Sequence, residues 1–265
     1  PGVKPSVVIG KDTRISSDML EGALIAGLTA SGCNVVRLGV IPTPGVAYLT
    51  VKLHADAGVV ISASHNPFEH NGIKMFSGEG FKLSDALEEE IESLILREGE
   101  LPVKTGAALG QVMDGAFTAE QYLDHLASTV GQLPRMRVLI DCANGAASAT
   151  AARLFDRFPE LHTDVINADP DGVNINEKCG STHTDALAAM GLETAFDPDR
   201  ADFSALGTAP DGPLYLDSVI HKARIEVNEK GTEAAAATVV EVEDAAAPTD
   251  YRELVLDRPF CYAVV

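Results

Sequence analysis

Between Ser6 and about Ala168, short apolar β-branched runs alternate with stretches of helical periodicity, and this alternation restricts the chain more than any other feature. The strand candidates are SVVIG (6–10), NVVRLG (34–39), AGVVIS (57–62), GIKMF (72–76), RVLIDC (137–142) and TDVINA (163–168). Parallel strands cannot be joined by a tight turn, so the segments between them must cross over, usually as helices. The spacing predicts a helix capped by Ser17 or Asp18, with Leu20, Leu24, Ile25 and Leu28 on one face and Gly32 ending it. A second helix is expected from Pro44 to about His54. A third is expected over SDALEEEIESLILREG, with Arg97 in its last turn, and a fourth from about Thr118 to Val130. The expectation is an α/β protein. A doubly wound domain with a mixed or parallel sheet spans 1–105, a second α/β domain begins over 117–184, and a β-rich or disordered tail covers 185–265.

Composition narrows the partners. Twenty Lys and Arg against thirty-nine Asp and Glu give a net charge of −19, which repels nucleic-acid backbones and anionic membrane surfaces. No apolar run approaches the ~20 residues of a membrane-spanning helix, and PGVKPSVVIG does not read as an export signal. The absence of an initiator Met is expected of a processed product or a fragment. Cys33, Cys142, Cys179 and Cys261 lie far apart without a CxxC pair, which argues against zinc and for reduced thiols in a cytoplasm.

The chemistry centres on one loop. In AGVVISASHNPFEHNGIKMF a strand ends in Ser62-Ala63-Ser64-His65-Asn66-Pro67, and open α/β sheets bind ligands at the carboxyl ends of their strands. Ser64 could present a hydroxyl for phosphoryl or acyl transfer, with His65 beside it and Lys74 supplying a cation. A polar turn that merely ends a strand is the competing account. No GxSxG elbow and no Walker loop is present, which weakens serine-hydrolase and NTPase readings. Asn144-Gly145 between a strand and a helix start could hold an anion on free N–H groups, but an architectural role is the better reading. Cys179 and His183 cannot complete a tetrahedral metal site.

GVVISASHNPFEHNGIKMFSGEGFKL resembles the active-site segment of the α-D-phosphohexomutases, and its FSGEGFKL is most similar to their phosphoglucosamine-mutase branch. VVIGKDTRISSDMLEGALIAGL, LGVIPTPGVAYLT, IDCANGAASATAARLF and NINEKCGSTH agree in order and spacing, so the resemblance covers about residues 3–184. It implies a cytoplasmic phosphoserine enzyme that interconverts a hexosamine 6-phosphate and 1-phosphate with Mg²⁺. Ser64 would carry the phosphoryl group and serve as a metal ligand, His65 and Lys74 would assist catalysis, and Arg14 and Asn66 would bind substrate or phosphate. A solvated surface arginine is the alternative for Arg14. The family's GTDGIRG-like opening, DGDADR-like metal loop, GEQSGH-like sugar segment and RPSGTEP-like phosphate loop do not occur. Independent turnover is therefore not expected.

After about Thr184 the βα rhythm stops. VIHKARIEVNEKGTEAAAAT and DRPFCYAVV resemble the hinge, reactive loop and following strand of the serpins, over about 187–265. That resemblance implies a serine protease as partner and a scissile bond near Ala245 and Ala246. An Ala-rich linker or helix is the alternative for EAAAAT, and no large acceptor sheet is expected. The chain thus reads as a composite joined near Thr184 to Leu187, leaving three functional classes: mutase-type enzyme, protease inhibitor, or inert α/β domain with a disordered tail.

Overall fold

A computed structural model describes residues 4–96 and 103–183, and the backbone of 215–228 and 231–243. The first sheet is built from β1 (Ser6–Lys11), β2 (Asn34–Val40), β3 (Ala57–Ile61), β4 (Ile73–Ser77) and β5 (Val112–Asp114), in the order β4-β3-β1-β2-β5. All neighbours run parallel except β3 and β4, so the mixed sheet expected from sequence is present. Residues one apart on a strand face opposite sides of the sheet, and both sides are covered. Val7, Ile9, Val35, Val59 and Ile61 pack against Leu20, Leu24, Ile25 and Leu28 of α1 (Ile15–Ala30). Val8, Leu38 and Val60 pack against Val46 and Leu49 of α2 (Thr43–Lys52), and against Tyr122 and Leu123 of α4 (Ala119–Thr129). Double coverage explains why β1 and β3 read as unbroken apolar runs rather than alternating ones.

Two details differ from expectation. Helix α1 begins at Ile15 with Arg14 as N-cap and no side-chain cap, because the Ser17 hydroxyl is drawn to Asp12 and Asp18 to Lys11. Strand β5 and helix α4 join the first sheet and core, although the expected first domain ends at 105 and the second begins at 117. Three residues are too few to show a period. Helix α3 (Asp85–Leu96) forms as expected but buries none of its residues, and Arg97 lies outside the described residues.

A second βα unit follows: β6 (Met136–Asp141), α5 (Ala151–Phe155) and β7 (Leu161–Ile166), with β6 and β7 parallel. Ile140, Cys142, Ala147 and Ala151 form its core. Farther on, β8 (Tyr215–Asn228) and β9 (Gly231–Glu243) pair antiparallel, Asn228 opposite Gly231. EAAAAT therefore lies in β9 as a strand, not a helix or linker. Ala245 and Ala246 lie outside the described residues.

Candidate active site

The chain leaves β1 toward β2 on one side, then returns to place β3 on the other side of β1. Between the carboxyl ends of β1 and β3 the sheet therefore has a topological switch point, the place where such folds leave a crevice. Two loops meet there, Asp12–Arg14 after β1 and 62–72 after β3, and Asp12 N–H donates to the Ile61 carbonyl at 3.0 Å.

Arg14 organises this crevice from below. Its side chain is 0% exposed and paired with Asp12, itself 3% exposed, so the solvated-arginine alternative is set aside. Asp12 also accepts from the Arg14 backbone N–H at 3.1 Å and from the Ser17 hydroxyl at 3.0 Å. The other end of the guanidinium, Nη2, donates to the Ser64 carbonyl at 3.1 Å and the Asn66 carbonyl at 2.6 Å. The fixed fork of arginine suits this bridge between a carboxylate and two carbonyls. Arg14 thus grips the backbone of the loop through Nη2.

The loop is held at two further points. Asn71 Nδ2 donates to the Ser16 and Ser17 hydroxyls at 2.9 and 3.1 Å. Asn176, from the second unit, donates through Nδ2 to the carbonyls of Ser64 and Asn66, both at 3.0 Å. Ser64 itself takes a left-handed conformation, φ 58°, and is exposed. A non-glycine residue there costs of order 1–3 kcal/mol and persists only where its surroundings over-determine it. Among the described residues, the Ser64 hydroxyl makes no hydrogen bond, whereas its carbonyl receives two. His65 and Asn66 are exposed beside it. Lys74 is exposed on β4, opposite Val60, and no hydrogen bond joins it or His65 to Ser64 among the described residues. The structure therefore gathers Arg14, Ser64 and Asn66, and adds Asp12, Asn71 and Asn176, which sequence reasoning did not assign. Asn176 had one available signal: Asn tolerates the left-handed backbone it adopts, φ 60°.

A charge network lies beside the crevice. Lys11 pairs with Asp18 and Glu21, and Arg37 donates to Glu21 at 3.0 Å through both Nε and Nη2. Burial works against the Lys11 ammonium, but its bonds to Asp18 and Glu21 outweigh that and hold its pKa above the usual lysine value. Burial likewise opposes the Glu21 carboxylate, yet Arg37 and Lys11 hold its pKa below the usual range. A cleft of about 310 Å³ opens between the Lys11–Ile15 stretch and Pro170–Gly172, adjoining this network, and Ser64 does not line it.

The Asn144-Gly145 turn is architectural, as expected. The N–H groups of Ala143, Asn144 and Gly145 are spent on Asp141 Oδ1, the Asn167 carbonyl and the Cys142 carbonyl, leaving none of the three for an anion. Cys33, Cys142 and Cys179 are unbridged; burial, reinforced by Asp141, pushes the Cys142 thiol up to about 11. No group of three or more His, Cys, Asp and Glu stands together among the described residues. Magnesium wants several hard oxygen ligands in near-octahedral array, and the described donors around Ser64 do not make up such a cage. No helix among the described residues is long and apolar enough to cross a membrane.

Comparison with known proteins supplies the context. The model of phosphoglucomutase/phosphomannomutase alpha/beta/alpha domain I matches residues 2–101. The serpin model matches residues 173–265, starting upstream of the junction expected at 184–187. The phosphoglucosamine mutase of Brevibacillus brevis is 53% identical over 208 residues, covering 74% of this chain and 46% of its own. That of Moorella thermoacetica is 50% identical over 228 residues, covering 81% and 51%. Among solved structures, a phosphoglucomutase/phosphomannomutase family protein from Burkholderia thailandensis superposes with TM-score 0.59 at 25% identity, over 75% of this chain and 43% of that one. The chain spans about half the length of the curated relatives it matches.

Proposed function

Because residues 2–101 match the model of phosphoglucomutase/phosphomannomutase domain I, we propose that the chain holds the phosphoserine part of a phosphoglucosamine-mutase-type site. In this reading Ser64 carries the phosphoryl group exchanged between the 6- and 1-positions of a glucosamine phosphate. A hexosamine bisphosphate would load it: the sugar O–P bond breaks as the Ser64 Oγ–P bond forms, and the serine proton ends on the released sugar oxygen. Lys74 and His65 would neutralise and protonate around the transferring group. Arg14 would act by fixing the loop, and Asn66 by lying next to the phosphoryl oxygens. Magnesium enters this reading only with ligands beyond the described residues, and the unbridged thiols suit a cytoplasmic setting. The observation that carries the proposal is Ser64 itself: a strained, exposed residue whose carbonyl is pinned by two donors while its hydroxyl stays free. Incubation with glucosamine or glucose 1,6-bisphosphate, with mass spectrometry of peptide 62–74, tests it. Phosphate on Ser64 that vanishes in Ser64→Ala is the expected result; equal incorporation in that variant, or none in the parent chain, refutes it.

A second reading rests on the serpin match over 173–265 and on the β8–β9 pairing, which sets Ala234–Ala237 opposite Ile225–Lys222. Small residues suit a segment that enters a sheet as a strand. Here the tail would engage a serine protease near Ala245 and Ala246. A stable covalent complex with an elastase-like protease supports this reading, and simple nicking refutes it.

A further inference from the structure

The second βα unit reaches the Ser64 loop through one side chain, and that side chain is anchored at every step. Asp141, 2% exposed at the end of β6, accepts from Ala143 N–H at 2.8 Å, Asn167 Nδ2 at 2.9 Å and Gly180 N–H at 2.8 Å. The Ala143 carbonyl in turn accepts the Asn176 backbone N–H at 2.9 Å. Asn176 Nδ2 then spends its two N–H groups on the Ser64 and Asn66 carbonyls. Two other bonds keep the units in register nearby: the Thr13 hydroxyl to the Asn144 carbonyl at 2.6 Å, and Ile15 N–H to the Gly172 carbonyl at 2.8 Å. The carbonyls that Asn176 grips are the same two that Arg14 grips. Each oxygen thus has both lone pairs engaged, one donor coming from each unit.

We propose that Asn176 is a positioning residue for phosphoryl transfer at Ser64, its amide holding the Ser64 and Asn66 carbonyls so that the hydroxyl faces outward. The proposal rests on the reading of Ser64 as phosphoryl carrier. It makes chemistry on the first unit depend on docking of the second: with the second unit displaced, the Ser64 and Asn66 carbonyls would keep Arg14 as their one side-chain donor among the described residues. The competing role for Asn176 is local, since Asn is simply tolerated at φ 60°.

Asn176→Gly separates the two, because Gly satisfies the backbone and removes the amide. Asn176→Asp keeps the shape and replaces the donor with an acceptor. In the full chain, hydrogen exchange over 62–72 and the rate of Ser64 loading from glucose 1,6-bisphosphate in magnesium-containing buffer are measured for the parent and both variants. In both variants loop exchange is expected to rise and loading to slow roughly tenfold, the scale of one or two lost hydrogen bonds. Exchange in β1 and β3 should stay unchanged, which reports that the first unit is still folded. Unchanged loop exchange, or parental loading rates in Asn176→Gly, overturns the proposal. If the parent chain does not load at all, the carrier reading fails, while the exchange measurement still decides whether Asn176 holds the loop.

Discussion

Replacing Arg14 with Met keeps much of the side-chain volume and removes the charge from a position that is 0% exposed. Asp12, 3% exposed, then loses its guanidinium partner and keeps only the backbone N–H of residue 14 and the Ser17 hydroxyl. Removing one member of a buried ion pair costs about 3–5 kcal/mol, because the remaining charge stays desolvated. Two carbonyls, those of Ser64 and Asn66, also lose a donor, though Asn176 still serves both. The expected cost is therefore at the upper part of that range. Adding Asp12→Asn to Arg14→Met removes the orphaned charge, and the double variant should recover all but about 1–2 kcal/mol, since a buried amide with partners is far cheaper than a buried carboxylate without one. Urea unfolding followed by the near-ultraviolet signal of Tyr48 and Tyr122 reads this out. Those rings lie 6.0 Å apart and belong to the first unit's core. A loss below about 1 kcal/mol for Arg14→Met, the scale of an exposed pair, would refute the reasoning. So would a double variant no more stable than the single one.

Leu123→Ala should cost about 2–5 kcal/mol in the same transition, since Leu123 is 0% exposed and part of the core that holds Val8 and Val60; a neutral result would detach α4 from the first unit. Glu21 has its folded pKa held below the unfolded value, so its stabilisation is present above about pH 4.3 and is lost as acid carries it down through the lower folded value. Glu21→Gln should therefore lower stability at pH 7 and flatten the acid limb of the urea midpoint, and an unchanged acid limb would count against the Lys11–Glu21–Arg37 network.

Most of the first sheet is legible from sequence. Strands β1, β2, β3 and β4 are apolar runs bounded by polar or glycine-rich segments, and the structure places each within a residue or two of expectation. Strand β5 is invisible because Val112–Asp114 is exposed and three residues long, and it is a strand only because β2 offers it an edge. The start of α1 is misread for a related reason. Ser17 has the chemistry of a cap, but a buried Asp12 two residues before Arg14 competes for its hydroxyl. At the site, Ser64, His65, Asn66, Lys74 and Arg14 can be singled out from a loop and its resemblance. The Arg14 partners cannot, since they depend on which carbonyls its guanidinium reaches.

Sequence by itself determined the layered α/β class, the strand that delivers the serine loop and the residue types available for phosphoryl chemistry, because periodicity and local loop composition act over a few neighbours along the chain. Tertiary structure decided that Arg14 is a buried brace rather than a solvated cation, that α4 closes the first core, and that Asn176 meets Ser64 across 112 residues of chain. Those outcomes turn on which backbone carbonyls and carboxylates come within hydrogen-bonding reach once the two units pack. No pattern along the sequence encodes that proximity.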